Sequence, residues 1–245
     1  MQTSTRGIII REQTVGESDR LVTILTSEFG IVKAFVRRAK SVKSKNMSAT
    51  SLFAYSEFTL YRSKDAFVAD NAKAIEIFFP LRQNIERLSL AQYFAQLALE
   101  LAGEEQPADE MLRLILNAFH LLCAGEKSPK LIKAAFELRI LCLGGYMPSL
   151  VACAQCSNYS AERMFFDFDS ASIYCCSCAV PQGAIPVSSG VLSAMRFICF
   201  SDLKKIFSFS LSEENLKALG EITEKFLLFC CKCRFTTLEF YKGLT

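Results

Sequence analysis

The chain has 245 residues, 51% hydrophobic and 22% charged, with a mean hydropathy of +0.25, a balance that excludes a disordered tail and a long charged coiled coil. Net charge is only +3 but unevenly spread: residues 1–80 hold 12 Lys and Arg against 8 Asp and Glu, a net of +4, whereas residues 81–245 hold 16 against 17, a net of −1. Glycine, proline and amide residues interrupt the uncharged stretches Ile140 to Ala161 and Ser170 to Met195, so no transmembrane span of about 20 apolar residues is expected.

Met1 to Gly7 is polar and lacks the apolar segment and small-residue cleavage site of a secretory signal, which predicts a cytoplasmic protein. Gly7 to Arg11, Asp19 to Thr26, Ile31 to Arg37, Ala54 to Tyr61 and Ala66 to Ala69 are short runs rich in Ile, Val, Phe, Tyr and Thr between turn residues. That spacing predicts five strands in a small closed or partly open barrel. Gly30 stands where a tight hairpin needs positive φ, and the Ser- and Lys-rich residues 39–52 are expected to form a mobile loop between strands three and four.

Lys33, Arg37, Arg38, Lys40, Lys43 and Lys45 fall within thirteen positions, and no acid occurs between Glu28 and Glu57. Such a run is a candidate polyanion-binding surface. The bland alternative is a solvated loop that only keeps the protein soluble. Phe35, Phe53, Tyr55 and Tyr61 are the nearby aromatics, and because alternate strand positions face inward, at least half of them should be structural.

From Leu81 onward apolar residues recur every three or four positions, as in Leu88, Tyr93, Leu97 and Leu101, or Leu112, Leu116, Phe119 and Leu122, so helices take over. Pro107 with Asp109 and Glu110 marks one helix start, Ser128-Pro129 another, and Gly144-Gly145 a stop. Val187 to Phe200 and Ser212 to Phe229 resume helical spacing, with Ser212 as N-cap. His120, the only histidine, belongs to a helix and is expected to be partly buried. With no nucleophile motif, no phosphate-cradling glycine loop and no clustered carboxylates, no enzymatic chemistry is expected.

Eleven cysteines, an odd number without a signal sequence, are expected to be reduced. Cys153, Cys156, Cys175 and Cys178 form two C-x2-C pairs separated by eighteen residues, the spacing of a structural zinc site. Buried apolar thiols are the alternative, but the intervening segment with Phe165-Phe166-Asp167-Phe168 is too short to build a core without a staple. Cys176 competes with Cys175 for the third position, although only Cys175 has the x2 spacing to Cys178. Cys230 and Cys233 have no second pair nearby and, like Cys123, Cys142, Cys199 and Cys231, are expected to be packing residues.

The run Glu17-Ser18-Asp19-Arg20-Leu21-Val22-Thr23-Ile24-Leu25-Thr26, Gly30, Arg37-Arg38-Ala39-Lys40-Ser41, then Phe136-Glu137-Leu138-Arg139, Gly145-Tyr146-Met147-Pro148, Leu150 with the cysteine pairs, and Phe235-Thr236-Thr237-Leu238-Glu239-Phe240 together resemble the bacterial DNA repair and recombination family RecO over essentially the whole chain. The sequence departs from that family at Tyr174-Cys175-Cys176-Ser177, where members commonly have glycines. The resemblance implies an α+β protein: an N-terminal OB-fold β-barrel over residues 1–80, then an all-α domain over residues 81–245 carrying a four-cysteine zinc module at about residues 151–180. It implies a non-enzymatic mediator that binds single- and double-stranded DNA, anneals complementary strands and assists recombinase loading onto strands coated by single-strand binding protein. The implied partners are DNA, RecR and the acidic C-terminal tail of single-strand binding protein, with no membrane and no small-molecule substrate; the protein would associate with the nucleoid during repair. Lys33, Arg37, Arg38, Lys40, Lys43 and Lys45 would contact DNA. Lys130, Lys133 and Arg139 would rim a pocket for the tail, while Glu137 and Arg139 also suit helix packing and ion pairing. A zinc-ribbon and OB-fold RNA-binding or transcription factor is the alternative reading.

Overall fold

Alternation of apolar and polar residues builds the first part of the molecule. The computed structural model describes residues 2–39, 46–62 and 67–244. Strands β1 (Gln2–Val15), β2 (Asp19–Thr26), β3 (Gly30–Val36), β4 (Ala54–Arg62) and β5 (Phe67–Ile77) close into a barrel in the order β1-β2-β3-β5-β4, with β4 returning to pair with β1. All neighbours are antiparallel except β3 and β5, which pair in parallel at Ala34–Phe67 and Phe35–Val68. This is the connectivity of an OB barrel. Ile9, Val22, Ile24, Val32, Ala34, Val36, Phe58 and Leu60 point inward and fill it. The strand expected over 66–69 runs on to Ile77, because Asn71, Lys73 and Ile75 face out between inward Ala72 and half-buried Ala74.

The loop expected to be mobile over 39–52 is ordered in its described second half. Thr50 N–H donates to Asn46 O at 3.0 Å, buried Ser56 Oγ donates to Ala49 O at 2.8 Å, and Ala49 and Thr50 are themselves buried. Residues 46–52 are held as turns by these bonds, with Ala49 packed in the barrel core.

Helices follow: α1 (Ile85–Leu101), α2 (Asp109–Ala124), α3 (Pro129–Leu143), α4 (Ser189–Phe200), α5 (Glu213–Cys231) and α6 (Thr236–Lys242). Asn84, Ser188 and Ser212 cap α1, α4 and α5 by accepting the N–H of Arg87, Val191 and Asn215, satisfying donors that a helix start leaves without partners. The cysteine-bearing insert adds β6 (Met164–Asp167), β7 (Ser172–Cys175) and β8 (Ile185–Val187), a three-stranded antiparallel sheet ordered β7-β6-β8. Val187, read from sequence as the first helical residue, therefore closes a strand, and the helix starts after the Ser188 cap.

The chain forms two compact units, residues 1–125 with 235–245, and residues 126–234. In the first, α1, α2 and α6 belong with the barrel; Tyr93 of α1 meets Phe235 edge-on at 5.9 Å, and Phe53 and Phe78 both pack edge-on against Phe119 of α2. The second unit contains α3, α4, α5 and the small sheet, with Phe166 of β6 edge-on to Phe226 of α5 at 5.3 Å. Compactness thus divides the chain near residue 125, whereas the change from strand to helix periodicity falls near residue 80. No helix of the described residues is long and apolar enough to cross a membrane.

Candidate functional site

On the barrel, residues that pair directly across neighbouring strands share a face. The register aligns Gln13, Leu21, Phe35, Val68 and Tyr61 across β1, β2, β3, β5 and β4, and a second row of Arg11, Thr23 and Lys33 beside it. Because Val22, Ala34, Val36, Leu60 and Ala69 point inward, these rows face outward. Phe35 and Tyr61 are each 39% exposed, and Lys33, Arg37 and Arg11 are exposed around them. Of the four aromatics named from sequence, Phe53 is buried and Tyr55 half-buried, so only Phe35 and Tyr61 offer ring faces to a ligand. Sequence reasoning could not choose between them because the choice depends on cross-strand register.

The strand expected to reach Arg37 stops at Val36. Arg38 takes a left-handed conformation, φ 51°, and its N–H donates to Asp19 Oδ1 at 2.7 Å. Arg37 and Arg38 are both exposed in this turn. Arg20 donates to Met47 O and Thr50 O and lies 3.6 Å from Glu12. Asn46 Oδ1 accepts Ala72 N–H at 3.1 Å. The Asp19-Arg20 pair therefore anchors the described residues on both sides of 40–45. Lys40, Lys43 and Lys45 lie outside the described residues.

In the second unit, Cys153, Cys156, Cys175 and Cys178 converge: their Sγ atoms all lie within 4.8 Å of one another. Cys156 and Cys175 are 3.6 Å apart, Cys175 and Cys178 3.5 Å. A tetrahedral ion with metal–sulfur bonds of about 2.3 Å needs sulfur–sulfur separations of roughly 3.8 Å, so the cluster is compatible with binding one metal ion. Cys176 is exposed and its N–H is held by Arg163 O at 3.1 Å; it is not part of the group.

Backbone donors surround the first of these sulfurs. Burial opposes ionisation of Cys153, but N–H groups of Cys156, Cys175 and Gln155 outweigh it and bring the thiol down to about 6; the Cys175 N–H donates to Cys153 Sγ at 3.3 Å. Sharing hydrogen bonds with Cys156 and Cys175 pushes the Cys178 thiol up. Ser157, at φ 59°, turns the first knuckle, and its N–H returns to Cys153 O. Arg196 of α4 then grips that knuckle: its guanidinium donates to Leu150 O, Val151 O and Tyr159 O and lies 4.0 Å from the centre of the Tyr159 ring. No sequence signal pointed to Arg196, because its partners are mainly carbonyl groups 37 to 46 positions away.

The residues expected at the rim of a tail pocket are placed unequally. Lys130 is exposed. Lys133 is buried, 2.8 Å from both Glu137 of its own helix and Glu224 of α5, and Thr223 Oγ1 donates to Glu137 Oε2. Arg139 donates to Ile198 O and Cys199 O at the end of α4. Both cations join helices within the fold, and an exposed rim does not describe their positions. Cys142 and Cys199 meet at 3.6 Å in the same region.

The barrel topology is that of an OB fold, in a chain that also carries a helical unit with a four-cysteine cluster. The family model described as recombination protein O N terminal matches residues 1–78, and that described as recombination protein O C terminal matches residues 82–241. The DNA repair protein RecO of Acetivibrio thermocellus is 33% identical over 98% of this chain and 96% of its own; that of Caldicellulosiruptor saccharolyticus is 26% identical over 97% and 96%. The RecO of Dehalococcoides mccartyi is 30% identical over 88% of this chain and 85% of its own. The chain belongs to the RecO family of DNA repair and recombination proteins.

Proposed function

We propose that this chain is a non-enzymatic recombination mediator that binds single- and double-stranded DNA, anneals complementary strands, and assists recombinase loading on strands coated by single-strand binding protein. The observation that carries the binding half is the outer row of Phe35 and Tyr61 flanked by Lys33, Arg37 and Arg11. Exposed rings stack bases of any sequence while cations follow phosphates, which suits a strand of arbitrary sequence. Cations that neutralise phosphates on two strands lower their repulsion, and base pairing supplies the specificity. Arg38 adds an exposed cation to that face, and Lys40, Lys43 and Lys45, which follow it in the sequence, are proposed as further phosphate contacts. RecR and the acidic tail of single-strand binding protein are the proposed partners, the tail docking on the helical part with Lys130 as its exposed cation. One Zn²⁺ held by Cys153, Cys156, Cys175 and Cys178 would close its four-coordinate shell with thiolates, supplying structure and leaving no position for a reactive water.

Full-length protein should accelerate pairing of complementary labelled oligonucleotides, bind single-stranded DNA at least as well as RNA of the same sequence, and leave both uncut in magnesium. RNA preference without annealing would favour the transcription-factor or RNA-binding reading, and magnesium-dependent cleavage would refute a mediator without chemistry of its own.

A further inference from the structure

Two acids on one turn already pair with Lys33, a cation of the proposed DNA face, and with Arg62, next to Tyr61 at the end of β4. The turn between α1 and α2 carries Glu104 and Glu105; Glu104 lies 3.7 Å from Lys33 of β3 and Glu105 2.6 Å from Arg62 at the end of β4. Both pairs are well exposed, with side-chain exposures between 62% and 72%. The turn itself is anchored. Ile31 N–H donates to Gly103 O at 3.2 Å, Ala108 N–H donates to Ser27 O at 2.9 Å, and Glu104 bridges to Gly30 and Ile31. Gly30, at φ 59°, has no Cβ where one would collide with the carbonyl oxygens of Gly103 and Gln106. Glu105 adopts φ 58°, a conformation that an L-residue with a long side chain adopts at a cost.

A carboxylate offers Lys and Arg the same oxygen chemistry as a phosphodiester. From this juxtaposition we infer that the Gly103–Gln106 turn is an internal competitor, which holds Lys33 and Arg62 until nucleic-acid phosphates displace Glu104 and Glu105. The pairs suit that role. Exposed ion pairs are weak, so a polyanion presenting several phosphates together displaces them, whereas an isolated acidic surface or mononucleotide does not. The turn thereby raises the threshold for engaging the barrel and favours long single strands over fragments.

This inference rests on the proposed DNA face, and the test separates the two. Affinity of the full chain for labelled oligo-dT is measured by fluorescence anisotropy at low salt. The pair Glu104→Gln with Glu105→Gln should bind about two- to thirtyfold tighter than the parent, the range set by two exposed ion pairs. The pair Glu86→Gln with Glu110→Gln, an equal charge change elsewhere in the unit, should gain clearly less. In a Lys33→Ala, Arg62→Ala background the gain from removing Glu104 and Glu105 should vanish. If the gain persists there, or equals that of the control pair, the acids act only through net charge and the competitor is refuted. If Lys33→Ala weakens binding while the Glu104 and Glu105 changes do nothing, the DNA face stands and the competitor falls. If none of these variants alters binding, both fall.

Discussion

Lys133 shows how one residue type can serve opposite purposes. As an exposed cation it would attract an acidic partner, but here it is buried between Glu137, which is fully buried, and Glu224. Burial pulls its pKa down, but the two carboxylates outweigh that and hold it above the ordinary 10.5. The contribution of this raised pKa is fully present below pH 10.5 and is lost as pH rises through the folded value, so raising the pH removes it only in strong alkali. Lys133→Ala strands the Glu137 carboxylate without its cation and should cost about 3–5 kcal/mol in denaturant unfolding; Lys133→Met with Glu137→Leu should recover much of it. Phe35 and Tyr61 make the contrasting case, large rings left at the surface. Each →Ala change should weaken single-strand binding by about 1–3 kcal/mol while leaving the melting temperature nearly unchanged, if each ring stacks one base.

Among the elements, the two cysteine knuckles and the β6–β8 sheet depend on each other. Cys175 ends β7, and the first knuckle meets the same strand where Ala154 N–H donates to Ile173 O at 2.8 Å; the longest strands of this sheet have only four residues. So small a sheet packs Phe166 against Phe226, and the metal proposed for the cysteine cluster would add a staple. Elemental analysis should find one zinc per chain. Cys175→Ser should abolish it and destabilise residues 126–234, whereas Cys176→Ser and Cys230→Ser should keep it. Arg196→Ala should accelerate zinc loss to a chelator, since the first knuckle then loses three carbonyl contacts; retention of zinc at the parent rate would show that the knuckle holds itself.

Electrostatics at the scale of the whole molecule concentrates on the barrel. For single strands the slope of log affinity against log salt is roughly −0.7 per neutralised phosphate. Replacing Lys33, Arg37 and Arg38 together by Ala should reduce its magnitude by up to about 2 and slow annealing in parallel, with zinc content and helical signal unchanged. An unaltered slope would place the DNA contacts elsewhere.

Periodicity and spacing in the sequence were enough for five strands, for the helices from Leu81 onward and their Ser212 cap, and for the cysteine quartet, because each depends on residues close in the chain. Alternation predicts a strand but not its partner, so only tertiary structure set the register that brings Phe35 and Tyr61 to either side of Val68 and sends Phe53 inside. The later part of β5, where Asn71, Lys73 and Ile75 face solvent, and β8 with its Pro186 are short of strand-forming signal, and neighbouring strands supply the missing hydrogen bonds. Lys133 and Arg139 carry the charge of surface residues in sequence; besides Glu137 one turn along, the Glu224 carboxylate 91 positions away and carbonyls 59 and 60 positions away meet them inside. Glu104 and Glu105 likewise look like ordinary solvated acids until the fold lays their turn beside Lys33 and Arg62. Local chemistry was legible wherever its partners are neighbours in sequence, and tertiary structure decided every role in which charge, ring or carbonyl had to be met from a distant part of the chain.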